Sequence, residues 1–320
     1  MRAMVLAAGL GTRLRPITYE LAKPMVPVLG RPVMDHILRL LVRHGFDDVV
    51  ANLHYFPEQI QGRFGDGRAF GLSLSYSPEP ELLGTAGGVR GAREHFGDET
   101  FLVISGDALT DIDLSALWAR HKQAGGIATL ALKRVADPSQ LGVVIVGDDG
   151  RIQGFQEKPD PSEALSDLGN CGIYAFEPAI FDHFPDDDPV DWANDVFPVL
   201  LEGGIPFHGH EISDYWNDIG NLNEFRQGNF DAVNGEVRVE GDGSLLEESE
   251  LIEPPVYVGE DCTIAANVRL KGPVVIGEGC TIGDGAALRE SILWPGTEVA
   301  AGSVLIGAIA GTSPLASKPG

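Results

Sequence analysis

Apolar residues open the chain as a short block, Ala3-Met4-Val5-Leu6-Ala7, which ends at glycines 9 and 11. A run this short, closed by glycine, predicts a strand that turns directly into a loop. Similar blocks recur at 49–53, 72–76, 101–105 and 127–132. Between them the period lengthens. Apolar positions 33, 34, 37, 38, 41 and 42 form one stripe of a helix that opens at Arg31-Pro32, with proline in its first turn, and stops at Gly45. Segments 57–64, 85–96 and 114–123 read as further helices. Segments 142–146 and 152–155, joined by Asp148-Asp149-Gly150, read as a hairpin. Strands alternating with helices over about the first 230 residues predict an α/β domain with a mostly parallel sheet.

The period changes after residue 253. Val258, Ile264, Leu270, Ile276, Ile282, Leu288 and Trp294 recur every six residues, and Val256, Cys262, Val268, Val274, Cys280, Ala286 and Ile292 form a second column in the same phase. Glycines punctuate the turns. A six-residue repeat predicts a parallel β-helix. With three hexads to a coil the region holds roughly three coils, near the minimum for a solenoid. Cys262 and Cys280 should then stack in adjacent coils as core residues.

The composition, 43% hydrophobic and 22% charged over 320 residues, is that of a soluble globular chain with room for one large domain and a smaller one. No apolar run approaches the ~20 residues that span a bilayer, and the N-terminal block is too short for a signal peptide. The expected location is the cytoplasm. With one odd cysteine among three, reduced thiols are expected, without metal-site spacing. A formal net charge of −24 excludes nucleic acid as a partner, since a polyanion would be repelled over most of the surface. It also draws attention to the cations. Six of the 23 basic side chains are lysines, and Lys23 and Lys158 each precede a proline.

The string Leu6 to Pro16, L-A-A-G-L-G-T-R-L-R-P, followed by Lys23-Pro24, puts a glycine loop and fixed positive charge at one end of a strand. Glycines let backbone N–H groups converge on a phosphate, so this is a candidate polyphosphate site. It lacks the third glycine of the dinucleotide fingerprint and the Gly-Lys-Ser/Thr of the Walker loop. The full string, with Lys-Pro downstream, resembles the sugar-1-phosphate nucleotidyltransferases (NDP-sugar pyrophosphorylases), and the resemblance runs over nearly the whole chain. It implies a Rossmann-like nucleotidyltransferase domain followed by a short left-handed β-helix of hexapeptide repeats. The implied boundaries are 1–232 for the catalytic domain, 233–253 for a linker, 254–310 for the β-helix and 311–320 for a disordered tail. The implied reaction joins a nucleoside triphosphate and a sugar 1-phosphate into an NDP-sugar and pyrophosphate.

Read residue by residue, the resemblance assigns nucleotide contacts to Leu6, Ala8, Gly9, Gly11, Thr12, Arg13 and Lys23. Gly84 and Thr85, in Gly84-Thr85-Ala86, join them near the base. Asp107 follows the strand at 101–105, at the edge where open α/β sheets bind ligands, and Asp218 stands in Trp216-Asn217-Asp218-Ile219. The family's aspartates at these two positions bind metal, which implies Mg²⁺ on Asp107 and Asp218, with Arg13, Lys23, Asp107 and Asp218 as the catalytic set. Phe155-Gln156-Glu157-Lys158-Pro159 matches the family's sugar-phosphate segment, so Glu157 and Lys158, with Gly142 and Asn170, are the expected sugar-phosphate contacts.

Near the base, uridylyl- and thymidylyltransferases of the family carry Gln, where this chain offers Glu79 and Glu81. A carboxylate accepts only, and guanine presents two adjacent donors, so GTP is favoured. The Asp191-Trp192-Ala193 wording, in place of the family's Ser-x-Glu, resembles mannose-1-phosphate guanylyltransferase-like members. The expected product is therefore GDP-mannose, with glucose-1-phosphate uridylyl- or thymidylyltransferase as the enzymatic alternative and a regulatory binding subunit as the non-enzymatic one. A β-helix acyltransferase is excluded because all eight histidines precede the repeats. The repeats' open ends and flat faces point to a homo-oligomer.

Overall fold

A computed structural model describes residues 1–186 and 189–311. Its contacts divide the chain into two compact units. The first comprises Met1–Gly9, Ile37–Ala108 and Ile112–Trp216; the second comprises Leu10–His36, Leu109–Asp111 and the chain from Asn217 onward. This division cuts the chain differently from the boundaries expected at 232 and 254. Residues 10–36, with Arg13 and Lys23, group with the helix Leu222–Asn234 and the repeats. Apart from Gly311, the expected disordered tail lies outside the described residues.

The first unit is built on a sheet in the order Ile152–Glu157, Gly142–Val146, Leu168–Phe176, Phe101–Ser105, Arg2–Leu6, Asp48–Leu53, Ser73–Pro78. The last four strands are mutually parallel. Val5, Ile104 and Ala51 lie in register and are fully buried, as strands covered on both faces require. Leu168–Phe176 runs antiparallel to Phe101–Ser105, and also pairs with Ala128–Arg134, the strand expected at 127–132. One side of the sheet closes on an aromatic cluster in which Phe96 stacks on Phe101 at 4.0 Å and Phe176 on Trp192 at 4.5 Å.

Two predicted helices are corrected. Arg31–Pro32 is a strand paired with Pro27–Val28, and the helix begins at Val33. The segment expected as one helix over 85–96 breaks at Ala92 into Gly84–Gly91 and Arg93–Phe96. Four glycines in the first piece, at 84, 87, 88 and 91, weaken helical continuity.

In the second unit the repeats stack as parallel strands. Val256 pairs with Val274, Thr263 with Thr281 and Leu270 with Leu288, one 18-residue coil apart. Cys262 and Cys280 therefore occupy equivalent places, although only Cys280 is fully buried. The sixfold period then slips. Between Lys271 and Val274 the register shifts, so Val274 faces Ser291 and Ile276 faces Leu293. Leu293, not Trp294, takes the next place in the first column, and Ser291 replaces Ile292 in the second. The missing residue falls at a corner where Glu290 has φ 48°. The buried Ser291 hydroxyl is satisfied there, donating to the Arg289 carbonyl at 2.7 Å and accepting from Ala308 N at 3.2 Å.

Buried imidazoles make the fold's stability depend on pH. The His121 side chain is fully enclosed, with Nδ1 3.0 Å from Thr129 Oγ1 and Nε2 3.2 Å from Glu177. Burial lowers its pKa, and burial likewise lowers those of His208 and His210. The unfolded chain thus binds more protons as pH falls through 6.5, the ordinary histidine value. The unfolding midpoint is expected to drop between pH 7.5 and 5.5, and His121→Gln to flatten that drop. An unchanged slope in the variant would exclude His121 as a contributor.

Candidate functional site

Within the second unit, Gly11 adopts φ 61° and starts the short turn Thr12–Leu14. Its carbonyl accepts the Thr18 hydroxyl at 2.6 Å. A Cβ on Gly11 would come within 2.9 Å of Thr18 and 3.1 Å of the Lys23 stem, so both conformation and crowding demand glycine. Leu14 is buried and anchors the turn, which leaves the Arg13 side chain 53% exposed. Lys23 sits in the turn Lys23–Met25 with 14% of its side chain exposed.

Both cations meet Asp218. Lys23 Nζ lies 3.5 Å from Asp218 Oδ1, and Arg13 Nη2 lies 3.9 Å from Oδ2. Gly220 makes room for them, since a Cβ there would sit 3.1 Å from Asp218 Oδ2 and 3.3 Å from Arg13 Nη2. The chain just after the carboxylate is fixed. Ile219 is buried, and Asn221 caps the following helix through the N–H groups of Asn223 and Glu224. A basic pair gathered at one carboxylate in a strongly acidic chain suits a phosphate anion.

The remaining candidates lie in the first unit, at the carboxyl end of its parallel strands. Gly106 N donates to the Leu6 carbonyl at 2.9 Å, and a Cβ at Gly106 would strike that oxygen at 2.5 Å. The half-buried Asp107 follows directly. Ala8 is buried, whereas Gly9 is exposed, and among the described residues beyond its chain neighbours none comes within 4 Å of an added Cβ.

The Gly84-Thr85-Ala86 turn is clamped to residues 190–192. Gly84 has φ 83°, and its Cβ would lie 2.3 Å from the Val190 carbonyl, which accepts from Ala86 N and Gly87 N. Thr85 Oγ1 donates to Asp191 Oδ2 at 2.6 Å and accepts from Trp192 N at 3.1 Å. Asp191 thus has two tasks, anchoring Thr85 and accepting from Ala193 N and Asn194 N at the next helical turn. The two carboxylates expected at the base also separate. Glu79 is 5% exposed, with Oε1 accepting from Asn52 Nδ2 at 2.7 Å and Oε2 from Leu83 N at 3.1 Å. Glu81 is exposed.

The sugar-side candidates cluster on three neighbouring strands. Glu157 pairs in register with Gly142, and Gly169 with Val143. A Cβ at Gly142 would lie 2.9 Å from Glu157 Oε2. Lys158 Nζ is 2.8 Å from Glu157 Oε1, and Lys158 holds φ 45°. A non-glycine residue in this region is strained, a feature that concentrates at ligand sites. Asn170 donates to the Tyr174 hydroxyl at 2.9 Å and accepts from Gly172 N at 3.2 Å.

Sequence reasoning missed Asn52, the anchoring role of Asp191 and the space left by Gly88 and Gly220. The first two work through hydrogen bonds between segments far apart in the chain, for which the sequence carries no local signal.

The first unit is an α/β fold with a clamped glycine turn at its strand ends, and in the second a basic pair meets one carboxylate. Comparison narrows the class. The chain belongs to the nucleotidyl transferase family, whose profile matches residues 2–234, and residues 255–290 match the bacterial transferase hexapeptide (six repeats) profile. It is 38% identical over 333 residues to a UTP–glucose-1-phosphate uridylyltransferase of Synechocystis, spanning 96% of this chain and 86% of that protein. It is 33% identical over 282 residues to a mannose-1-phosphate guanylyltransferase of Mycobacterium tuberculosis, spanning 84% and 78%. A glucose-1-phosphate thymidylyltransferase of Streptomyces griseus is 34% identical over 257 residues, spanning 79% and 71%. Among solved structures, a UDP-glucose pyrophosphorylase bound to UDP-glucose superposes with a TM-score of 0.63 at 18% identity, covering 73% of this chain and 98% of that one, a likeness of fold. The chain is a sugar-1-phosphate nucleotidyltransferase. No helix among the described residues is long and apolar enough to cross a membrane.

Proposed function

We propose that the chain makes GDP-mannose and pyrophosphate from GTP and mannose 1-phosphate. The observation that carries this reading is Glu81, an exposed carboxylate three residues before Gly84, able to accept from guanine N1–H and the 2-amino group together. Glu79, whose oxygens are engaged within the chain, is left out of base contact.

In the reaction, an oxygen of the sugar phosphate attacks the α-phosphorus in line. A new P–O bond forms as the α–β anhydride bond breaks, and its electron pair leaves with pyrophosphate. Positioning and charge stabilisation supply the catalysis. Arg13 and the glycine-loop amides take up charge on the departing pyrophosphate, and Lys23 contacts nucleotide phosphate. Glu157, Lys158, Gly142 and Asn170 hold the sugar phosphate.

Asp107 and Asp218 are the proposed Mg²⁺ ligands. Both are half-buried carboxylates, hard oxygen donors that suit a cation completing its shell with water and phosphate. When bound, the ion neutralises and orients the α-phosphate.

A second reading, UDP-glucose synthesis from UTP and glucose 1-phosphate, is favoured by the Synechocystis relative's 38% identity over 96% of the chain. A pyrophosphate-release panel of four nucleoside triphosphates against mannose, glucose and N-acetylglucosamine 1-phosphates separates the two. Preference for GTP with mannose 1-phosphate, lost in Glu81→Gln, is the expected result. Preference for UTP or dTTP overturns the guanine reading.

A further inference from the structure

Three backbone segments at the carboxyl end of the parallel sheet are joined by one buried relay. Ala7 N, just past the first strand, donates to Asn52 Oδ1 at 2.7 Å. Asn52, on the adjacent strand, donates from Nδ2 to Glu79 Oε1 at 2.7 Å. Glu79 Oε2 accepts from Leu83 N, the residue before the Gly84–Gly91 helix, at 3.1 Å. Both side chains are buried, Asn52 at 3% exposure and Glu79 at 5%. The backbone of Glu79 is fixed as well, its N–H on the Leu53 carbonyl at 2.7 Å and its carbonyl 2.8 Å from His54 Nδ1. Gly88 leaves the space, since a Cβ there would lie 2.5 Å from Glu79 Oε1 and 2.6 Å from Asn52 Nδ2.

We propose that Asn52 and Glu79 are a positioning pair that ties the start of the phosphate loop to the turn before the Gly84–Gly91 helix, and so sets the nucleotide's KM. The inference rests on the nucleotidyl-transfer reading and gives Glu79 a different task from base contact. Every hydrogen bond in the relay has one possible direction. Ala7 N and Leu83 N can only donate, an ionised Glu79 can only accept, and Asn52 alone can do both. The pair is therefore tuned by donor and acceptor matching, beyond size and burial.

That matching supplies the test. Asn52→Asp keeps the acceptor for Ala7 N but sets two buried carboxylate oxygens against each other. Glu79→Gln sets an amide N–H₂ against a donor. The double variant Asn52→Asp with Glu79→Gln restores every bond and the same total charge: Gln donates to Asp, and its carbonyl accepts from Leu83 N. A misplaced turn weakens nucleotide binding equally in the ground and transition states, so KM should carry the effect. Each single variant is expected to raise the KM for the preferred nucleotide by about tenfold or more, with kcat within about threefold. The double variant is expected to return KM to within about threefold of wild type.

Equilibrium binding of GTP and UTP to the same four proteins reads the relay without turnover, and thermal unfolding shows that each is folded. Singles that leave KM and binding within about twofold overturn the pairing. A double variant no better than the worse single also overturns it, and is the result expected if Glu79 reads the base. A wild-type protein that releases no pyrophosphate from any nucleotide overturns the reaction reading instead, and the binding swap still decides the relay.

Discussion

Replacing Arg13 by alanine is expected to lower kcat by about 10³-fold, the scale seen when one charged or oxyanion-type stabiliser is removed from a transition state. The local structure argues that the loss falls on chemistry. The side chain is 53% exposed, and the turn is held by Leu14 and by the Thr18 hydroxyl on the Gly11 carbonyl. Its contact with Asp218, at 3.9 Å, is a half-exposed ion pair worth at most about 1 kcal/mol. The unfolding midpoint should therefore stay near that of wild type while turnover collapses. Arg13→Lys should recover only part of the rate, because an ammonium lacks the planar fork that grips two phosphate oxygens. Near-wild-type turnover in Arg13→Ala would remove Arg13 from the reaction.

Asp218→Asn carries the second large expectation. The change is nearly isosteric, and Gly220 leaves space beside the group, so the fold should persist. The negative charge facing Lys23 at 3.5 Å and Arg13 at 3.9 Å is lost, together with one proposed ligand of a hard cation. Turnover is expected to fall by about 10²-fold or more, and the Mg²⁺ concentration for half-maximal rate to rise by at least about tenfold. Titrating Mg²⁺ at fixed nucleotide separates the two effects. A rate loss with an unchanged Mg²⁺ midpoint would remove Asp218 from the metal and leave it as the residue that places Lys23.

Much of the architecture is legible from short-range pattern. The first strand, its glycine loop and the helix at 114–123 depend on local period and on turn chemistry, and they appear within a residue or two of their expected bounds. The hexad columns locate the coils because each coil repeats the same burial problem. The slip at 289–291 escapes the pattern because residues 292–294 are all apolar, so the sequence offers two registers. Which of Leu293 and Trp294 aligns with Ile276 depends on the neighbouring coil.

The candidate site divides along the same line. Residue type and order along the chain are what point to phosphate chemistry at this strand end, because glycine ahead of an Arg and a Lys has few other uses there. Tertiary structure decided which polar groups remain available to a ligand. Glu79 and Glu81 are the same residue type two positions apart, yet one is consumed by Asn52 and Leu83 while the other faces solvent. Asp191 becomes the anchor of Thr85 across 106 positions. A hydrogen bond depends on distance and direction in space, and the sequence specifies neither until the sheet brings its strand ends together.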